Sequence, residues 1–300
     1  MAMKHVTKIL LKALSFQNVR VKASRQLADL KKIDFCKRLY QKQDYTVERN
    51  GYLIPVRVFY PEEKKKHPSV FLFFHGGGWS TDSIDTYQRI CAMLANASEH
   101  IVISVDYRLA PEYKFPCGLL DCYEVARKLY QVVDETKTTL IGDSAGGNLA
   151  AAISLLARDR KEFDVRQQIL IYPSLSGDYS NPTQYHSMEE NGSDYVLTIG
   201  KLQDYIDLYS KNDDDKTNPY FAPMQATRLQ NQPKTLIITA EYDPLRDEGE
   251  AYGERLKAAG NEVMIHRVKD AIHGYFALGI KHYHVQESFD IINTFLKGIR

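Results

Sequence analysis

A serine stands among glycines at residues 142–147, which read Gly-Asp-Ser-Ala-Gly-Gly. The four residues before this segment are β-branched or apolar and suit a strand, whereas strong helix formers follow from Asn148. A strand must therefore turn into a helix within a few residues, with Ser144 at the apex. Gly142 and Gly146 lack Cβ atoms and permit the close backbone approach of such a bend. The G-x-S-x-G pattern is typical of a nucleophilic serine.

A serine hydroxyl is a weak nucleophile until a base takes its proton, and a third group must orient that base. Asp243 comes just after the apolar strand candidate 234–240, and His273 follows the next strand candidate, 262–268. The sequence therefore predicts a triad in which His273 is the base for Ser144 and Asp243 orients the imidazole.

Acyl transfer also places negative charge on the carbonyl oxygen, and this charge needs two or three backbone N–H donors aimed at one point. The strand candidate 70–74 leads into three consecutive glycines, 76–78, which let the main chain turn its amides inward. Together with the amide of Ala145, the amides of Gly77 and Gly78 are predicted to form an oxyanion hole.

Several neighbouring residues have supporting interpretations. His75 is expected to hold the glycine loop by a hydrogen bond, and Asp143 to be a hydrogen-bond partner behind the nucleophile. Asp247 and Glu248 open a helix candidate, where carboxylates stabilise the N-terminus. Trp79 either lines the substrate pocket or packs beneath a cap.

These residues need a scaffold that brings strand ends together. From residue 70 onward, short strand candidates alternate with helix candidates, which favours a mostly parallel sheet covered by helices on both faces, an α/β fold. The strand candidates are 52–60, 70–74, 101–106, 138–141, 168–172, 234–240 and 262–268, and the helix candidates are 85–98, 118–133, 145–158, 245–259 and 284–297.

Two segments interrupt this alternation. Apolar residues recur at helical spacing between Val6 and Leu14, with lysines on the other side, and predict an amphipathic helix. Residues 174–223 contain turn residues and a helix candidate at 199–210, which indicates a lid inserted after a sheet strand. We expect N-terminal cap helices at 1–45, a cap insertion at 176–218, and a catalytic α/β domain made of 46–175 and 219–300.

Composition restricts the function classes. Of the 300 residues, 44% are hydrophobic and 26% charged, and the net charge is +1, so nucleic acid is not an expected partner. Lysines interrupt the N-terminal apolar stretch, no uncharged run is long enough to span a membrane, and a cytoplasmic protein is predicted. The basic N-terminal helix would suit an anionic membrane surface, but its shortness favours a cap helix. The four cysteines, Cys36, Cys91, Cys117 and Cys122, lack metal-site spacing and are interpreted as reduced thiols.

No metal site is predicted. His282 and His284 have no evident third ligand, and the acidic run 213–215 is interpreted as a solvated turn because its neighbours offer no full set of oxygen ligands.

Taken together, the motifs resemble those of the hormone-sensitive-lipase-like family of α/β-hydrolases over roughly residues 45–300. The resemblance implies an α/β-hydrolase fold with a helical cap and a carboxylesterase without metal or organic cofactor. It implies Ser144 as nucleophile, His273 as base and then acid, and Asp243 as its orienting group, with Gly77 and Gly78 in the oxyanion hole. The motifs are His-Gly-Gly-Gly-Trp at 75–79, Asp-Tyr-Arg-Leu-Ala-Pro-Glu at 106–112, the serine turn at 142–147, Asp-Pro-Leu-Arg-Asp at 243–247 and His-Gly at 273–274.

The leading functional hypothesis is hydrolysis of small to medium acyl esters, with a small-molecule ester as partner. Amide or formamide hydrolysis by the same triad, a ligand-binding protein that has lost catalysis, and a peripheral lipase docked through its N-terminal helix are the alternatives. A homodimer is left open by the sequence.

Overall fold

The computed structural model describes residue 15 and residues 19–32, 40–63, 66, 68–181, 183–279 and 282–298. Within these ranges, eight strands form one sheet. In chain order they are β1 (Lys42–Arg49), β2 (Tyr52–Phe59), β3 (Val70–Phe74), β4 (Ile101–Val105), β5 (Thr138–Asp143), β6 (Gln167–Ile171), β7 (Lys234–Tyr242) and β8 (Val263–Ile272).

The order across the sheet is β1-β2-β4-β3-β5-β6-β7-β8. β1 pairs with β2 and β2 with β4 in antiparallel fashion, whereas every other neighbouring pair is parallel. The carboxyl ends of the parallel strands therefore meet at one edge, where binding sites of open α/β sheets form.

Helices separate the parallel strands along the chain, as their crossover connections require. Among the described residues the α-helices are α1 (Val21–Asp29), α2 (Gln88–Ser98), α3 (Cys117–Tyr130), α4 (Ala145–Arg160), α5 (His186–Asn191), α6 (Ile199–Tyr209), α7 (Asp213–Thr217), α8 (Arg246–Ala258) and α9 (Tyr283–Lys297).

Two apolar layers cover the sheet, because successive side chains of a strand point to opposite faces. In β3, Leu72 and Phe74 join the layer that contains Leu149 of α4, while Phe71 and Phe73 join the layer that contains α2 and α9. All four of these side chains are fully buried. The predicted α/β architecture, with a mostly parallel sheet flanked by helices, is confirmed.

One strand was missed by the sequence analysis. β1 begins at Lys42, inside the segment 1–45 that had been predicted to consist of cap helices, so that boundary was wrong. Its signal was Asn50-Gly51, a pair favoured in two-residue hairpin turns because both residues adopt positive φ, here 50° and 78°. The amphipathic helix predicted between Val6 and Leu14 lies outside the described residues.

The chain between β6 and β7 carries α5, α6 and α7, and no strand among the residues described there. The acidic run 213–215, which was predicted to be a turn, instead opens the short helix α7. The Asn212 side chain caps this helix by accepting a hydrogen bond from the Asp215 amide at 3.2 Å. The cap insertion at 176–218 and the cap role of the segment before β1 stay predictions.

Two further observations concern the helices and the thiols. None of the helices in the described ranges combines the length and apolar character that crossing a membrane requires. Cys91, Cys117 and Cys122 are free thiols, and Cys36 lies outside the described residues.

Candidate active site

Ser144 lies where β5 ends and α4 begins, at the apex that the glycine pattern predicts. Its backbone has φ 54° and ψ −119°, a strained conformation for a residue with a side chain. A Cβ at Gly142 would lie 2.2 Å from the Gly146 carbonyl oxygen, and one at Gly146 would lie 1.9 Å from that of Phe74. Glycine is therefore required on both sides of the serine because the backbone segments pack directly on one another.

His273 follows β8 and Asp243 follows β7, so both lie at the same sheet edge as Ser144. The His273 Nδ1 atom is 2.7 Å from Asp243 Oδ2, and its Nε2 atom is 2.9 Å from Ser144 Oγ. A carboxylate only accepts, so Nδ1 carries the proton and Nε2 is left to accept from the serine hydroxyl. The structure thus brings the three predicted residues into one hydrogen-bonded chain.

Asp243 is fully buried, and its second oxygen accepts a hydrogen bond from the Leu245 amide at 2.9 Å. This bond fixes the plane of the carboxylate relative to the imidazole. The Tyr172 ring packs against His273 with ring centroids 4.7 Å apart. The imidazole is therefore held by a hydrogen bond at one edge and by an aromatic side chain on its face.

The glycine loop after β3 lies beside the serine. Gly77 and Gly78 have φ 103° and 57°, which glycine adopts without steric cost. Within the described part of the chain, no acceptor is paired with the amides of Gly77, Gly78 or Ala145. All three residues line the same cavity as Ser144, so their amides stay candidates for the oxyanion hole.

Asp143 connects the serine turn to the glycine loop. Its carboxylate accepts hydrogen bonds from the Gly76 amide at 3.0 Å, the Tyr87 hydroxyl at 2.9 Å and the Tyr172 hydroxyl at 3.2 Å. Burial raises the pKa of Asp143 to about 6, and the hydrogen bond from Tyr87 opposes that rise. The supporting interaction predicted for Asp143 is thus a link between the serine turn and the glycine loop.

His75 is also buried, and its Nδ1 atom donates to the Gly76 carbonyl oxygen at 2.8 Å. Its ring stacks on Tyr107 with centroids 4.3 Å apart, and the Tyr107 hydroxyl donates to the His75 carbonyl oxygen at 2.8 Å. Burial lowers the pKa of His75, which favours the neutral imidazole. These contacts agree with the role in holding the loop that was predicted for His75.

A cavity of about 240 Å³ opens in front of the serine. Trp79 lines it and also stacks on Tyr209 of α6, with ring centroids 4.6 Å apart and an angle of 2°. Trp79 thus lies on the cavity wall and packs against the insertion at once, and its contact with substrate stays a prediction.

The sequence analysis missed the rest of the wall. The chain between β6 and β7 lines the cavity with Lys201 and with four largely apolar side chains, Val196, Leu197, Leu202 and Tyr205. A Cβ at Gly78 would lie only 2.2 Å from the Tyr205 ring, so this ring lies directly on the glycine loop. Charged side chains also line the cavity, where Lys31 Nζ pairs with Asp82 at 2.8 Å. The only sequence signal was the apolar spacing of Leu202 and Tyr205 in a helix candidate.

Glu248 was predicted to stabilise a helix N-terminus, and it does lie in the first turn of α8. Its side chain also reaches away from the helix and accepts hydrogen bonds from the amides of Leu175 and Ser176. Asp247 likewise accepts from the Ser187 amide at 2.8 Å. Both carboxylates therefore join α8 to the chain that follows β6.

The described residues contain no group of three or more His, Cys, Asp or Glu side chains arranged to hold a metal ion. The rings of His282 and His284 lie 4.7 Å apart at the start of α9.

Comparison with known proteins identifies the family. A family described by the alpha/beta hydrolase fold matches residues 71–277. The chain belongs to this α/β-hydrolase family. It is 38% identical to an arylesterase of Saccharolobus solfataricus over 268 residues, which cover 87% of this chain and 84% of the relative. It is 36% identical to the carboxylesterase NlhH of Mycobacterium tuberculosis over 79% of this chain and 76% of the relative.

The structural similarity extends over nearly the whole molecule. The hyperthermophilic esterase of the archaeon Pyrobaculum calidifontis superimposes with a TM-score of 0.89 and 34% identity, covering 99% of this chain and 98% of the esterase. The resemblance to hormone-sensitive-lipase-like carboxylesterases, predicted from the motifs, is therefore confirmed at the level of the family.

Proposed function

We propose that this protein is a serine carboxylesterase that hydrolyses small to medium acyl esters, with Ser144, His273 and Asp243 as its catalytic triad. The observation that carries the proposal is the hydrogen-bonded chain from Ser144 through His273 to Asp243, which faces a cavity lined by Gly77, Gly78 and Ala145. The esterase relatives support a carboxylic ester hydrolase as the enzyme class.

Acylation begins when His273 Nε2 takes the Ser144 proton as Oγ attacks the ester carbonyl. The carbonyl oxygen becomes an oxyanion, which the amides of Gly77, Gly78 and Ala145 stabilise; one such donor is worth on the order of 3 kcal/mol in the transition state. His273 then gives its proton to the leaving alkoxide, and the alcohol departs as the acyl-enzyme forms. Asp243 stabilises the imidazolium throughout.

Deacylation repeats these steps with water. His273 removes a proton from a water molecule, whose oxygen attacks the acyl carbonyl of the ester on Ser144. When the second oxyanion collapses, the bond to Oγ breaks, the proton returns to Ser144, and a carboxylic acid is released.

The size of the cavity supports small and medium substrates. Its volume of about 240 Å³ is below the roughly 300–1,000 Å³ of pockets that hold drug-sized ligands. Tyr205 and Leu202 form an apolar part of its wall, and the ion pair of Lys31 and Asp82 forms a charged part. Long acyl chains would have to displace these side chains.

A series of 4-nitrophenyl esters from acetate to dodecanoate tests the proposal. We expect a burst of nitrophenolate equal to the enzyme concentration if deacylation is the slower step, with kcat/KM highest for the shorter chains. Ser144→Ala should abolish turnover, whereas Ser180→Ala, at an exposed serine outside the cavity, should leave it unchanged. No turnover by the wild type, or equal turnover by Ser144→Ala, would reject the proposal.

Amide substrates separate the esterase from an amidase that uses the same residues. An ester and its amide isostere measured side by side should differ strongly in favour of the ester. A higher kcat/KM for the amide would assign amide hydrolysis to the triad instead.

A further inference from the structure

Glu248 is a buried carboxylate that the proposed chemistry does not use. Its side chain is almost fully enclosed, with 1% of the residue exposed. One oxygen, Oε1, accepts hydrogen bonds from the Leu175 amide, from the Ser176 amide at 3.1 Å and from the Tyr179 hydroxyl at 3.0 Å. Burying a carboxylate is costly, and three donors on one oxygen indicate that the site is built to hold this segment.

The segment that Glu248 holds is residues 173–176, which we call the post-β6 segment. On its other side it contacts the serine turn directly. The Ser174 amide donates to the Ser144 carbonyl oxygen at 3.3 Å, and Asn148 Nδ2 donates to the Ser174 carbonyl oxygen at 2.9 Å. The Ser174 hydroxyl lies 2.9 Å from the Tyr179 hydroxyl, which itself donates to Glu248.

Ser144 needs such contacts because its backbone is strained. A conformation of this kind costs about 1–3 kcal/mol and persists only where the surroundings fix it. The Ser144 amide is fixed by the Ile171 carbonyl oxygen at 2.8 Å, whereas its carbonyl oxygen is fixed by the Ser174 and Asn148 amides. The post-β6 segment thus supplies part of the restraint on the serine, and the hydrogen bonds to Glu248 hold that segment in place.

We propose that Glu248 is a positioning residue for the nucleophile, acting through the post-β6 segment to hold Ser144 in its strained conformation. Burial raises the pKa of Glu248 to about 7, which agrees with a carboxyl group that is shielded from water on every side. The inference rests on the proposed function, since it assigns a role in the same reaction.

Three variants test this role. Glu248→Met keeps the length of the side chain but removes the acceptor, and Glu248→Gln keeps an acceptor oxygen for the three donors. Gln168→Ala is the matched control. Gln168 is fully buried in β6, and its side chain forms hydrogen bonds with Ser154 and Thr235 outside the cavity, which the alanine variant loses. For each variant, kcat and KM on 4-nitrophenyl acetate are measured well below its melting temperature.

For Glu248→Met we expect kcat to fall by about tenfold or more while KM changes by less than about twofold, because the serine is misplaced for the chemical step but the cavity is kept. Glu248→Gln should retain at least about a third of the wild-type kcat. Gln168→Ala should lower the melting temperature without lowering kcat. If Glu248→Met loses stability as Gln168→Ala does but keeps its kcat, Glu248 is only structural and the inference is overturned.

Tyr179→Phe provides a second test should Glu248→Met not fold. It removes only the hydroxyl between Glu248 and Ser174, and kcat should fall by a few-fold, about the effect of one hydrogen bond, with KM unchanged. An unchanged kcat would then overturn the inference. A wild type without esterase turnover would instead reject the proposed function itself, so the two failures are distinguishable.

Discussion

The carboxylate of Asp143 accepts a hydrogen bond from the Gly76 amide at 3.0 Å, and so joins the serine turn to the glycine loop. The Asp143 carboxylate also accepts hydrogen bonds from the hydroxyls of Tyr87 and Tyr172. The positions of Ser144 and of the glycine loop, which carries two of the predicted oxyanion donors, are therefore not independent, because one buried side chain bonds to both segments.

Asp143→Ala should accordingly impair the chemical step. We expect kcat on an aryl acetate to fall by about tenfold to a hundredfold, with a smaller change in KM. This fall is at most comparable to the fall in kcat when one oxyanion donor is removed. Asp143→Asn is the control, since its amide oxygen still accepts from Gly76 and should preserve more activity. Equal kcat for Asp143→Ala and the wild type would contradict this account.

The acyl-chain preference should depend on Tyr205. Tyr205→Ala removes a ring from the apolar wall, and each methylene that becomes buried in the added space contributes about 0.8 kcal/mol. The ratio of kcat/KM for an octanoate to that for an acetate should rise by about tenfold or more. Tyr205→Phe keeps the ring and should leave this ratio unchanged; a rise in Tyr205→Phe as well would implicate the hydroxyl rather than the volume.

Gly78 tests the contact between the glycine loop and α6. Gly78→Ala places a methyl group 2.2 Å from the Tyr205 ring, so the loop must move and kcat should fall by about a hundredfold or more, as when an oxyanion donor is lost. In Gly78→Ala/Tyr205→Ala the methyl group has room, and activity should recover in part. Recovery stays incomplete because φ 57° costs a residue with a side chain about 1–2 kcal/mol. A double variant no more active than Gly78→Ala would show that Tyr205 is not the obstacle.

Glu248 should also make stability depend on pH. Its pKa is raised from 4.5 to about 7, so the folded protein holds the proton more tightly than the unfolded chain. The contribution of this tighter proton binding to the free energy of unfolding is fully present below pH 4.5 and is lost as the pH rises through 7. Relative to Glu248→Gln, the wild type should therefore lose about 3 kcal/mol of unfolding free energy between pH 4.5 and 8.

Urea denaturation of both proteins at several pH values measures this difference. Gln168→Ala removes no titrating group, and its free energy of unfolding should differ from that of the wild type by a constant amount across the same range. A constant difference for Glu248→Gln would show that Glu248 ionises alike in the folded and unfolded states.

The sequence was most informative where the required signal is local. The turn around Ser144 and the three glycines before Trp79 need particular residues at fixed spacing, and the strand–helix alternation places Asp243 and His273 after neighbouring strands. These features predicted the fold and the family, both confirmed, and a triad whose catalytic role stays a prediction. Asn50-Gly51 was an equally local signal for β1 that was not used.

The cavity wall could not be predicted in the same way. Tyr205 is one of twenty tyrosines, and nothing in its own segment indicates that its ring rests on Gly78, 127 positions earlier in the chain. Glu248 had a sufficient local explanation at a helix start, yet its partners lie 72 and 73 residues away. Such contacts depend on how the chain between β6 and β7 packs on the sheet, which neither periodicity nor spacing encodes.

The contact between Tyr205 and Gly78 has a consequence for how this enzyme can diverge. Tyr205, which we predict limits the size of the acyl group, also contacts the backbone expected to stabilise the oxyanion. Selection for bulkier substrates at position 205 would therefore change turnover at the same time. New specificities along this route should require compensating substitutions, and adaptation would proceed through pairs of mutations rather than single ones.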